Sequence, residues 1–161
     1  MFIYSVRAST VKFFGFIALT LAVLIAVVLV GGGGAVLAST GGEVDYSGIK
    51  TAEDRVAFIE RFGLKVEAEP VEEVPFTMPD NFDRVILGYN ELQKRQGLDL
   101  SKYAKKKITR YTYRVTNYDH EGEVYANLFV YRSKIVACDV CSADPRGFVT
   151  PLTLLDASKI K

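Results

Sequence analysis

With 161 residues, 49% apolar and 24% charged, the chain is too hydrophobic for a disordered tail and long enough for one folded domain with an appendage. A formal charge of +1 gives no overall pull toward nucleic acid, and two cysteines are too few for a secreted disulfide framework. That near-neutral sum hides segregation: residues 43–83 carry eleven acids against four bases, and residues 84–114 carry nine bases against two acids.

Residues 13–30, FFGFIALTLAVLIAVVLV, contain no charge and only Thr20 as a polar side chain, and GGGGAVLA carries the uncharged run to Ala38. About 20 apolar residues at ~1.5 Å each cover a ~30 Å hydrocarbon layer. A transmembrane helix is therefore expected over 13–35, with residues 1–12 before it. A core helix of this length without a polar face does not suit so small a domain. Arg7 and Lys12 precede the run, whereas Glu43 and Asp45 are the first charges after it. By the positive-inside rule the N-terminus is cytoplasmic and the rest of the chain extracytoplasmic in the cell membrane. Cleavage after Ala38 as a signal peptide is the alternative; the apolar run exceeds the usual signal core, and either outcome leaves the domain outside. Residues 36–50, including STGGEVDYSG, read as a flexible stalk.

The outer domain is expected over 51–150, with 151–161 as a tail. Thr51 and Asp54 stand at capping-box spacing before Val56, Ile59 and Phe62, and Gly63 follows, which predicts a helix over 52–62. Leu64, Val66 and Ala68 alternate with charged residues up to Pro70, the pattern of a half-buried strand. A second extended piece, VPFTMP at 74–79, has prolines that suit a sheet edge. Asp80 as cap, a stripe of Phe82, Val85, Ile86, Tyr89 and Leu92, and Gly97 as stop predict a helix over 81–96. Three β-rich runs, 107–118, 123–132 and 135–140, are joined by a DHEG turn at 119–122 and by a short SK link. Short links favour an antiparallel meander, and helices on one of its faces give a two-layer α+β domain with three to five strands.

The motifs RVAFIERFGLKV, NELQKRQGLDLSKY, KKITRYTYRVTNY and ANLFVY…CDVCS resemble a family of small single-pass Firmicutes membrane proteins whose extracytoplasmic domain has no known function. The resemblance covers nearly all of 51–149 and implies an anchored bacterial protein of the cell envelope; it brings no catalytic residue. Two positions depart from the family pattern: Leu64 stands where tryptophan is common, and Cys138 where a small non-cysteine residue is usual. Cys141 matches the family's usual cysteine.

Cys138 and Cys141 form the one candidate thiol pair. Residues three apart in a regular strand project from opposite faces, so the pair reads as buried or inert thiols. A local disulfide, a redox pair and a metal site stay open as alternatives. Redox chemistry asks for this spacing at a helix start, which the turn-like SADPRGF does not provide, and a zinc site lacks partners beyond His120, Asp119 and Asp139.

A candidate anion- or partner-binding patch interleaves Lys102, Lys105, Lys106, Lys107, Arg110 and Arg114 with Tyr103, Tyr111 and Tyr113. Outside the membrane its partners would be lipid headgroups, wall polymers or an acidic protein surface rather than nucleic acid; the bland reading is a solvated connector and a strand with one charged face. The acids Glu67, Glu69, Glu72 and Glu73 read as the wet side of an extended segment, or as lying against the basic stretch, before they read as a cation site. For nucleophilic catalysis, Ser101, Ser133 and Ser142 have only His120 as a base. No catalytic set, cofactor or metal is therefore expected. The expected function is a membrane-anchored extracytoplasmic sensor or interaction domain acting on a neighbouring membrane or cell-wall protein. The alternative is a thiol-dependent or metal-dependent surface enzyme using Cys138 and Cys141.

Overall fold

The computed structural model describes residues 43–144 and 146–161. The segments 1–12 and 13–35 and the start of the stalk lie outside the described residues; among those described, no helix is long and apolar enough to cross a membrane.

Helix α1 (Ala52–Glu60) starts where the capping box forms: Asp54 N–H donates to Thr51 Oγ1 at 3.2 Å, and Thr51 N–H donates to Asp54 Oδ2 at 2.9 Å. The expected strand after it does not form as a ladder. Val66 makes a single bridge to Val115, Leu64 turns into the core, and Ala68 is exposed. Pro70 then lacks the donor a strand would need.

Strand β1 (Glu72–Thr77) precedes helix α2 (Arg84–Lys94), and strands β2 (Lys107–Val115), β3 (Val124–Tyr131), β4 (Lys134–Ser142) and β5 (Val149–Pro151) follow. All neighbours are antiparallel in the order β1-β2-β3-β4-β5. The result is an α+β domain built on a five-stranded sheet. Helix α2 is capped by Asp83, whose Oδ1 accepts Ile86 N–H at 2.8 Å; Asp80, the expected cap, pairs with Lys105 instead. The apolar stripe expected on α2 is also revised, since Val85 is 78% exposed while Asn90 and Gln93 are its buried residues.

Strand alternation sorts the sheet into two faces. Tyr113, Val115, Val124, Ala126, Leu128, Cys138 and Val140 share one cluster with Phe58 and Ile59 of α1. Ile108 and Ala137 share a second cluster with partly buried Phe76, Phe129 and Tyr131, and there Tyr89 of α2 joins. The two helices therefore serve opposite faces rather than the single face expected. A bulge accommodates both sets: Phe129 faces Ala137 and Val130 faces Ile135, so Val136 is an extra residue and lies with Ala137 in the second cluster.

The outer edge of β4 is closed by three different segments. Tyr46 carbonyl accepts Ile135 N–H at 2.8 Å, β5 pairs with residues 139–141, and between them Gln93 and Gln96 reach the backbone of Cys138. Residues 43–50 are thus not a free stalk: Tyr46 and Ile49 are buried in the first cluster. Nor is 151–161 a loose tail. Leu152 is fully buried, Ile160 bridges Tyr118, and Asn117 Nδ2 donates to the carbonyls of both Gly63 and Lys161.

Candidate functional site

The second sheet face carries a row of hydrogen-bonded polar side chains. Its centre is Asp139 on β4, only 4% exposed. Tyr89 on α2 donates its hydroxyl to Asp139 Oδ2 at 2.5 Å. The amide of Asn127, the cross-strand neighbour of Asp139 on β3, donates to Asp139 Oδ1 at 2.9 Å and to Cys141 Sγ at 3.3 Å. Thr112 on β2 completes the row by donating to Asn127 Oδ1 at 2.8 Å. Burial pushes the Asp139 carboxyl up from its ordinary range, against the opposing effect of these donors and of Arg110. Burial, followed by the Asp139 charge, pushes the Tyr89 hydroxyl up as well. Such a site holds or releases one proton in a shielded place; no nucleophile is activated beside it.

Arg110 and Arg114 project from β2 beside this row. Arg110 pairs with Glu72 across the β1–β2 ladder, and Arg114 meets Glu123 at 3.0 Å and Glu67 at 3.8 Å. The acidic and basic blocks of the sequence thus meet at these pairs, which accounts for part of their segregation without a ligand. Glu69 and Glu73 remain exposed. Val74, Phe76, Phe129 and Arg110 line a small concavity of about 250 Å³, and Phe76 packs edge-on against Phe129.

The residues of the candidate basic patch do not form one surface. Alternation in β2 turns Tyr111 and Tyr113 to the first face, where the Arg55 guanidinium lies 3.8 Å over the Tyr111 ring and its Nε donates to Tyr113 Oη at 2.8 Å. Arg110 and Arg114 lie on the opposite face. Lys102, Lys106 and Lys107 are exposed in or next to the connector, and Lys105 pairs with Asp80 at 2.8 Å. Lys102 also borders a cleft of about 760 Å³, where Arg95 and Lys134 are offset by Glu43, Asp45 and Asp99. With three cations against three acids, that cleft has no preference for an anion.

Both cysteines are free thiols in β4 and project from opposite faces. Cys138 is fully buried in the first cluster, and burial pushes its thiol well up; Cys141 is half-buried on the second face, and burial raises it too. Among the described residues no group of three or more His, Cys, Asp or Glu side chains could hold a metal ion. The row of Tyr89, Thr112, Asn127 and Asp139 is not marked by any sequence motif. Its one visible signal was a charged residue set inside the apolar run IVACDVC.

Residues 58–140, more than half of the chain, match the family described as Domain of unknown function (DUF4830). No curated protein and no solved structure matches the chain. The chain accordingly belongs to the DUF4830 family.

Proposed function

We propose that this protein is a membrane-anchored sensor or protein-interaction domain of a bacterial cell envelope, held by residues 13–35 with its C-terminal domain outside the cytoplasm. The location is supported by the charge-free apolar run behind Arg7 and Lys12. The interaction role is carried by one observation: α2 leaves part of the second sheet face accessible, and that part bears Arg110, Arg114, Tyr125 and Asn127, all partly exposed. Arginine and tyrosine are among the side chains enriched at the hot spots of protein recognition. The partner is a neighbouring membrane or cell-wall protein. The thiol-dependent alternative is disfavoured, because Cys138 and Cys141 point away from each other and burial holds both protonated.

Photo-crosslinking on membranes tests the interaction reading. A photoreactive residue at Tyr125 of the full chain is expected to form a discrete, reproducible adduct, and one at Glu60 on the outer side of α1 is not. Absence of an adduct from Tyr125, or equal adducts from both sites, would remove the reading.

A further inference from the structure

The concavity formed by Val74, Phe76, Phe129 and Arg110 combines apolar walls with an unfinished hydrogen-bonding group. Its volume of about 250 Å³ decides the size of what it takes. Whole small-molecule pockets run from about 300 to 1,000 Å³, so this one suits a group of side-chain size presented by something larger. At its edge, Arg110 gives Nη2 to Glu72, while its Nε–H is shielded from solvent and has no acceptor. A sheltered donor without a partner is unfavourable, and a guanidinium donates to a carboxylate through two parallel N–H bonds. Glu72 is half exposed, so its hold on the guanidinium is weak.

The neighbouring edge excludes a second mode of recognition. Met78 N–H donates to Lys106 carbonyl, and the two-residue period directs the N–H groups of residues 76, 74 and 72 toward β2. Positions 73, 75 and 77 then face outward, and the middle one is Pro75, which has no N–H to offer. An extended peptide cannot add to β1 as a regular sixth strand. A peptide reaching this place is therefore not held by a regular ladder of main-chain bonds, and the apolar walls beside the Arg110 guanidinium match an apolar side chain next to a carboxylate, as at a chain's C-terminus.

We propose that this concavity receives the C-terminal residue of a partner protein, with an apolar side chain between Val74, Phe76 and Phe129 and the terminal carboxylate on Arg110. The proposal deepens the interaction reading and names the partner's contacting chemistry; it does not depend on the membrane anchor. Glu72 is a competitor for the same guanidinium, so the two charged residues act in opposite directions on binding.

The test uses the full chain in nanodiscs, with the side-chain Nε–H resonance of Arg110 followed by NMR and assigned by its loss in R110K. Acetyl-Gly-Leu with a free carboxylate is expected to shift this resonance and the Phe129 ring signals saturably. Acetyl-Gly-Leu amide and isovalerate should each bind at least about tenfold more weakly, one lacking the charge and the other the peptide. R110Q should lose about tenfold or more, whereas E72Q should strengthen binding. No saturable shift with the free peptide overturns the proposal. So does an amide that binds equally well, isovalerate that binds as tightly as the peptide, or E72Q that fails to strengthen it. The wild-type comparison of ligands decides the matter even where a variant does not fold. An adduct from Tyr125 with no peptide response would leave the interaction reading standing and reject only this occupant.

Discussion

Tyr89 on α2 and Asp139 on β4 are joined by a hydrogen bond of 2.5 Å, from the phenol hydroxyl to a carboxyl that is almost wholly buried. The groups facing Asp139 are Tyr89, Asn127, Arg110 and Cys141. Burial raises the folded-state pKa above the ordinary 3.8, so the fold binds this proton more tightly than the unfolded chain does. The stability linked to that proton is fully present below the unfolded pKa and is lost as pH rises through the raised folded value. Urea denaturation from about pH 4 upward should show wild type losing stability relative to D139N, and Y89F should be less stable than wild type by about 1–3 kcal/mol. Parallel pH curves for wild type and D139N would contradict the buried titration.

Gln93 supports the stretch of β4 that β5 does not reach. Its Oε1 accepts Cys138 N–H at 2.9 Å and Gln96 Nε2–H at 2.7 Å, and Gln96 in turn donates to Cys138 carbonyl at 2.6 Å. Gln93→Leu leaves a buried backbone donor without an acceptor, a loss of about 1–3 kcal/mol. Denaturation should show that loss, and the Cys138 amide should exchange with deuterium faster. An unchanged exchange rate would assign the strand edge another support.

The β3–β4 hairpin turns through Arg132 and Ser133, at φ 46° and 62°, with Tyr131 facing Lys134. Two consecutive left-handed residues form the turn that Asn-Gly favours, and each ordinary side chain there costs about 1–2 kcal/mol. The double variant R132N/S133G should raise stability by about 1–2 kcal/mol in thermal or urea unfolding. A destabilised variant would mean that the side chains contribute more than the backbone strain removes.

How much of this was legible in the chain follows from the range of each interaction. The Thr51–Asp54 capping box, the stop at Gly97 and the three-strand run between 107 and 140 depend on neighbours in sequence, and they stand where the pattern put them. Residues 43–50 read as a stalk because Gly, Ser and acids surround Tyr46 and Ile49; their burial depends on β4, far along the chain, as well as on the adjacent α1. Val85 fits a helical stripe, yet the helix turns Gln93 inward to the edge of β4 and Asn90 inward to the backbone N–H of Leu100. The basic patch dissolved for a simpler reason. A strand sends adjacent residues to opposite faces, so Tyr111 and Arg110 never shared a surface. Within the candidate site, only Asp139 was visible, as a charge among apolar neighbours, and its partners come from α2 and β3.

Thiol reactivity checks the placement of the two cysteines. Cys138 is sealed in the core and Cys141 is half-buried beside Asn127. An aromatic disulfide reagent should titrate at most one thiol of the native chain, slowly, and both in denaturant. Two fast native thiols, or a loss of both on mild oxidation, would revive a redox role.

The most direct test of the anchored, outward-facing arrangement is amine labelling of whole bacterial cells expressing the full chain, with a membrane-impermeant reagent. Lys106 and Lys107 are exposed on the domain, whereas Lys12 precedes the apolar run and is removed in a K12R background. The account predicts labelling of intact cells at these domain lysines, with the protein retained in the membrane fraction. Labelling that appears only after the cells are permeabilised would contradict it.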